Sequence, residues 1–260
     1  MRHTLYLMLL LFAFACGEVT PETDQAEEQE TEQTEPSEAA ITISPMPATK
    51  EYPGAAITGM TYENSTFNFE YDGGADGYEL AAQTPDAEQL MCANSGKGQH
   101  IHLIVNDAPY AAKYEANFEY ELPDGEHHML AFLSRSYHES IKSPEASRAM
   151  QVTIADGAIA ESAEIEGPML FYSRPKGSYA GDDAKRVMLD FYPINVELGD
   201  DYQVKVEIGG QEFMVNEWRP YFLENLPVGD HTVTLTLVDG EGKTVDAPLN
   251  PVSRDITIGI

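Results

Sequence analysis

Leu122-Pro123-Asp124-Gly125-Glu126-His127-His128-Met129-Leu130-Ala131-Phe132-Leu133 returns 104 residues later as Leu226-Pro227-Val228-Gly229-Asp230-His231-Thr232-Val233-Thr234-Leu235-Thr236-Leu237. Each copy opens with Leu-Pro-x-Gly-acid-His, a turn, and continues as a strand, in which successive side chains point to opposite faces. At the same offset Tyr114 meets Trp218, Phe118 meets Phe222, and Thr153-Ile154 meets Thr257-Ile258. With one residue inserted, Ile101, Leu103 and Val105 align with Val204, Val206 and Ile208.

Working outward from this pair, the chain shows little helical periodicity after Pro45. Short alternating segments bounded by Gly, Pro, Asn and Asp predict strands at Thr66–Tyr71, Tyr78–Ala82, His100–Val105, His127–Leu133 and Ala149–Ile154. They resume at Met169–Tyr172, Val187–Tyr192, Tyr202–Ile208, Glu212–Val215, Thr232–Val238 and Asp255–Ile258. Many short strands at such spacing predict an all-β protein, and the repeat predicts two tandem immunoglobulin-like β-sandwich domains over 45–158 and 164–260.

The repeat also assigns faces. In the second copy Val233, Leu235 and Leu237 alternate with Thr232, Thr234 and Thr236, so the threonine face is the wet one. The offset places Met129, Ala131 and Leu133 in a core and His128 outside it. His100 and His102 align with Gln203 and Lys205, and so share an outer face with Ile104. The first domain thus carries histidines, Leu130 and Phe132 where its twin carries polar residues. Either this face holds a ligand or the second domain covers it. His127, matched by His231, is expected to be structural, bonding across its turn.

Five of the seven histidines fall between Gly98 and His138. Imidazoles two residues apart on a strand can reach one first-row metal if another ligand comes from a neighbouring element. The candidate set is His100, His102 and His128, with His138, Cys92 or Met91 completing it; nitrogen with sulfur suits copper or zinc. A second reading takes the cations of two loops, Arg135 beside Tyr137 and Arg174 near Lys176, as a peptide or phosphate site, because an arginine fork fits either anion. That reading requires the two arginines to share one groove. Hydrolysis has less support. His138-Glu139 lies near Ser134 and Ser136, but no Gly-x-Ser-x-Gly context exists. The chain is expected to bind rather than catalyse. Asp72-Gly73-Gly74-Ala75-Asp76-Gly77 reads as a turn.

The N-terminus carries address information. Residues 1–16 form a signal sequence, with Arg2 ahead of an apolar run too short to span a membrane and Ala15-Cys16 at its end. A cysteine there resembles the lipobox of bacterial lipoproteins, which implies lipidation at Cys16, a membrane anchor and outer-membrane placement. Residues 17–44 are expected to be a disordered tether, since Glu18 to Glu38 holds nine acidic residues and no basic one. A net charge of −29 excludes nucleic acid as a partner. With Cys16 lipidated, Cys92 is left alone and no intramolecular disulfide forms.

The run Gly96–Val105, then Leu122–His127, then His138, is similar to small exported bacterial domains of unknown function. These carry a Gly-His-His-His-Leu start, a Leu-Pro-Pro-Gly-x-His-Thr-Leu hairpin and a trailing histidine. This chain has Gln99 where that family has histidine, and it lacks the family's mid-domain histidine. Over its mature length, through Gly98–Val105, Ala131–Ser140 and Leu170–Gly177, it resembles two-domain bacterial envelope lipoproteins sometimes labelled phosphopeptide-binding. That resemblance implies an interaction module.

Overall fold

Residues 40–260 are described by the structure, a computed structural model; the expected signal sequence, Cys16 and most of the expected tether lie outside the described residues. Residues 40–260 lie in one compact unit. The strands of its first half are β1 (Thr42–Pro45), β2 (Ala55–Glu63), β3 (Thr66–Gly73), β4 (His100–Val105), β5 (Ala111–Lys113), β6 (Asn117–Glu119), β7 (Gly125–Ser134), β8 (Ser147–Ala155) and β9 (Ala158–Glu164). Those of the second half are β10 (Met169–Arg174), β11 (Gly177–Tyr179), β12 (Arg186–Ile194), β13 (Tyr202–Ile208), β14 (Gln211–Val215), β15 (Tyr221–Glu224), β16 (Gly229–Asp239) and β17 (Val252–Ile258). Among the described residues no helix is long and apolar enough to cross a membrane.

Four sheets result, with strand orders β2-β3-β6, β5-β4-β7-β8-β9, β1-β15-β12-β10 and β11-β17-β16-β13-β14. The orders repeat as the sequence does: β2-β3-β6 matches β10-β12-β15, and β5-β4-β7-β8 matches β14-β13-β16-β17. The turn motif repeats atom for atom. His127 Nε2 lies 2.9 Å from the Pro123 carbonyl and His231 Nε2 2.7 Å from that of Pro227, so each ring donates across its own turn. Both turns place glycine where φ is positive, Gly125 at 129° and Gly229 at 133°, a conformation side chains disfavour.

The first core lies between β2-β3-β6 and the β4-β7-β8 face carrying Ile101, Leu103, Met129, Ala131 and Leu133. The second gathers Leu170, Tyr172, Val187, Leu189 and Phe191 against the valines and leucines of β13 and β16. A third apolar layer joins the halves. Ile104, Leu130 and Phe132, on the back of the first core's sheet, pack on Met169, Phe171 and Tyr192, on the back of β10 and β12. The sheet carrying β4 and β7 is therefore buried on both faces at its centre. The expected faces hold, and the outer one is covered by the second half's sheet. A partly buried ion pair crosses the same seam: Lys142 binds buried Asp190, whose other oxygen accepts the Ser140 N–H at 3.0 Å.

Three expectations are corrected. The expected tether runs to residue 44, but Thr42–Pro45 is a strand paired antiparallel with β15, and Ile41 is buried in the second core. β9 continues the first half's sheet as far as Glu164, beyond the expected boundary at 158. Tyr78–Ala82 is not a strand: Ala81 is left-handed, and the Tyr78 hydroxyl donates to the carbonyls of His100 and Ser134, tying down the end of the β4–β7 pair.

Candidate metal centre

β4 supplies two rings. Its alternation sends Ile101, Leu103 and Val105 into the first core, so His100 and His102 stand on the back of the sheet, fully buried. The third ring comes from the loop after β7. Register sets His100 opposite Ser134, the last residue of β7, and a Ser134–Ser140 bridge closes the loop 135–139. Within it the N–H groups of Arg135 and His138 donate to the carbonyls of Glu139 and Arg135, both at 2.9 Å. His138 adopts φ of 75°, in the left-handed region that histidine enters more readily than most residues. Its ring folds back over His100, with centroids 4.8 Å apart.

One nitrogen from each of His100, His102 and His138 lies within 4.8 Å of the others. His100 Nε2 sits 2.8 Å from His102 Nε2 and 3.0 Å from His138 Nδ1. Protons cannot satisfy all of these contacts. His100 Nδ1 is 2.8 Å from the Gly98 carbonyl, which only accepts, so that nitrogen carries the hydrogen and Nε2 offers its one in-plane lone pair. A single lone pair takes one hydrogen, yet two nitrogens stand at bonding distance from it. His138 Nδ1 is also 3.2 Å from the Tyr110 hydroxyl, which itself accepts from Arg174 Nη1 at 2.8 Å and can donate its hydrogen to the imidazole. A cation ligated about 2.0–2.1 Å from each nitrogen would use every lone pair at once. Since no two of its ligands can then be more than about 4.2 Å apart, the three nitrogens, here within 4.8 Å of one another, would draw slightly together around it.

Burial dominates the electrostatics. It lowers the pKa of His100 to about 4, opposed by the bond to the Gly98 carbonyl and aided by the charges of Arg174 and Lys176. Burial likewise pushes His102 and His138 well below the ordinary histidine value, with their ring neighbours and the same two cations adding to the shift. All three are neutral imidazoles near pH 7, the form that binds metals. Around them Tyr110 stacks on His102 at 3.6 Å and 8°, and the Ser173 hydroxyl approaches His102 Nδ1 at 3.4 Å. Lys176 Nζ lies 3.7 Å over the other face of Tyr110 and donates to its carbonyl at 2.6 Å.

The expected ligand set is brought together only in part. His128 is on the right face at the wrong height: His102 pairs with Phe132, leaving His128 four residues further along, roughly 13 Å at strand rise. Its backbone bonds to Asn106 instead. Cys92 packs with Met46, Leu90, Tyr137, Met188 and Phe222, outside the nitrogen group, and burial raises its thiol to about 12, so it stays protonated. Met91 is exposed. Tyr137 is fully buried, and Arg135 is spent on the carbonyls of Lys50 and Ser140. Arg135 lines a cleft of about 490 Å³ with Tyr52, Lys142 and Trp218, and Arg174 is not in its wall. The two arginines therefore do not share that groove; Arg174 and Lys176 border the histidines. Ser134 donates to backbone carbonyls, the Ser136 hydroxyl accepts from the Thr84 N–H, and the His138 ring is hydrogen-bonded to His100 and Tyr110 rather than to either serine. Tyr110, Ser173 and the Gly98 carbonyl escaped sequence reasoning. Of these only Tyr110 left a trace, one residue past the Leu103↔Ala111 pair and hence beside the outer face of β4.

No protein-family model matches the chain, and no curated protein matches it. Among solved structures it is similar to fibronectin(III)-like modules of CbhA from Clostridium thermocellum, at 12% identity and a TM-score of 0.29, covering 85% of this chain and 94% of that one. It is also similar to the chicken interferon gamma receptor alpha chain, at 10% identity and 0.25, covering 80% and 100%. The two tandem V-type regions of VCBP3 match at 8% identity and 0.24, covering 85% and 100%.

Proposed function

We propose that this protein is a metal-binding module of the bacterial envelope, taking one copper or zinc ion per chain through His100 Nε2, His102 Nε2 and His138 Nδ1. The observation that carries the reading is the buried nitrogen triangle, where a single lone pair on His100 faces two nitrogens at 2.8 and 3.0 Å. A hydrogen-bonded core would pair each nitrogen with a complementary donor or acceptor. Two tandem immunoglobulin-like sandwiches, with the site on the seam between them, are the architecture we assign. That assignment is supported by the repeated strand orders and the matched His127 and His231 turns. Lipidation at Cys16 and anchoring to the outer membrane complete the proposal, on the strength of the Ala15-Cys16 sequence alone.

The test is calorimetric titration of Cu(I), Cu(II) and Zn(II) into the full chain, beside His100→Ala and His138→Ala. One-to-one, sub-micromolar binding lost in both variants is expected. Retention of that affinity in His138→Ala would refute the triangle as the site.

The anion reading keeps one observation in its favour: Arg174 Nε is buried without a hydrogen-bond partner. Phosphate binding at Arg174 and Lys176 that needs no metal would support it.

A further inference from the structure

We infer that the site selects by ionic charge, holding monovalent copper, Cu(I), in preference to divalent ions; this rests on the metal-binding reading above. The argument begins with what the ligands lack. The three candidate donors are imidazoles, which bind a metal in their neutral form, and neither a thiol nor a carboxylate belongs to the group; Cys92 packs in a separate cluster. The charged side chains that shift His100 and His138 are Arg174 and Lys176, with no anion contributing to either shift. Burial and Arg174 lower Lys176 itself to about 8, so at pH 7 it is still mostly cationic.

Both cations are held in place. Arg174 Nη1 and His138 Nδ1 contact the same Tyr110 hydroxyl, at 2.8 and 3.2 Å, so they are within about 6 Å of each other. Lys176 Nζ and the His102 ring lie on opposite faces of Tyr110, with spacings of 3.7 and 3.6 Å to its ring centre. Arg174 is 5% exposed and therefore poorly screened by salt. At an effective dielectric constant near 20, each unit of charge on an ion about 6 Å from a fixed cation weakens binding by roughly a hundredfold. The penalty applies once to Cu(I) and twice to Zn(II) or Cu(II). Ligand type does not decide between these ions, since imidazole accepts zinc and both copper states; charge is what separates them.

The experiment is anaerobic competition titration of the full chain at pH 7 in phosphate-free buffer, against chromophoric chelators for Cu(I) and for Zn(II). The chains compared are wild type, Lys176→Gln and Arg174→Gln. In the wild type Cu(I) is expected to bind at least a hundredfold more tightly than Zn(II). Each substitution should raise Zn(II) affinity by about the square of the factor by which it raises Cu(I) affinity, so the preference narrows tenfold or more. Lys176 is half-buried and is not itself part of the apolar seam cluster, so that variant serves if Arg174→Gln fails to fold. An unchanged preference in both folded variants overturns charge selection while leaving metal binding standing. Zn(II) binding as tight as Cu(I) only when phosphate is added overturns it in favour of an anionic co-ligand. Wild-type protein that binds neither ion removes this inference together with the reading on which it rests.

Discussion

His100 keeps its tautomer because Gly98 holds it. The Gly98 carbonyl accepts from Nδ1, and Gly98 itself has φ of 89°, with the space a Cβ would need filled by the Ala81 carbonyl. A backbone pinned this closely fixes a ring with little freedom to relax. Such a ring is also costly to protonate. Below a pH of about 6.5 the histidines of the unfolded chain take up protons, whereas folded His100 does so only near 4, and His102 and His138 shift in the same direction. Their contribution to stability is full above that upper limit and is lost as pH falls through the window, by roughly 1.4 kcal/mol per pH unit for each ring that stays neutral. Chelator-stripped protein should therefore show a Tm that declines from pH 7 to 4.5, with a shallower decline in His138→Gln. A Tm flat across that range would mean that the rings are not buried in neutral form.

Among the elements, β4 and β7 show how far periodicity reads and where it stops. Alternation and the repeat identify the dry face of each strand, and the structure agrees for all six apolar residues of that face from Ile101 to Leu133. What alternation does not contain is register, the relative sliding of two strands. Setting His102 opposite Phe132 rather than His128 is decided by turn geometry and packing across the whole sheet. His138 was legible as a companion ligand, but its place in the triangle depends on a left-handed loop residue with no pattern of its own. Arg174 and Lys176 stood out as rare cations, but their position beside the histidines is a property of the seam. That seam makes its own prediction. Phe132 is fully buried between the halves and stacks on Tyr192 at 5.5 Å, so Phe132→Ala should cost about 3–5 kcal/mol in denaturant unfolding. It should weaken metal affinity as well, since the same ring lies 4.9 Å from His102. A loss under 1 kcal/mol would show the seam to be loosely packed.

For the molecule as a whole, the N-terminal strand is what composition concealed. An acidic, apolar-poor segment reads as a tether, and Thr42–Pro45 differs from it only by a short run whose partner lies far along the chain. β1 pairs with β15, Ile41 fills the second core, and the Ser44 hydroxyl donates to Glu224 at 3.1 Å. A chain beginning at Met46 should lose about 2–4 kcal/mol relative to one beginning at Glu38, from the buried isoleucine and the strand's hydrogen bonds. Equal midpoints in urea would show that the strand adds nothing.

The pairing of β1 with β15 also sets an order of events. A ribosome releases residue 42 long before residue 224, so the first strand made must wait for almost the last one. Meanwhile the back of the β4–β7 sheet stays bare until Met169–Ile194 arrives to cover it. Assembly of this chain is a ring closure completed from its far end, and contacts of such long sequence separation form slowly. A nascent chain stalled near residue 165 would present its histidines and its apolar face together, a window in which ions could enter before the seam shuts.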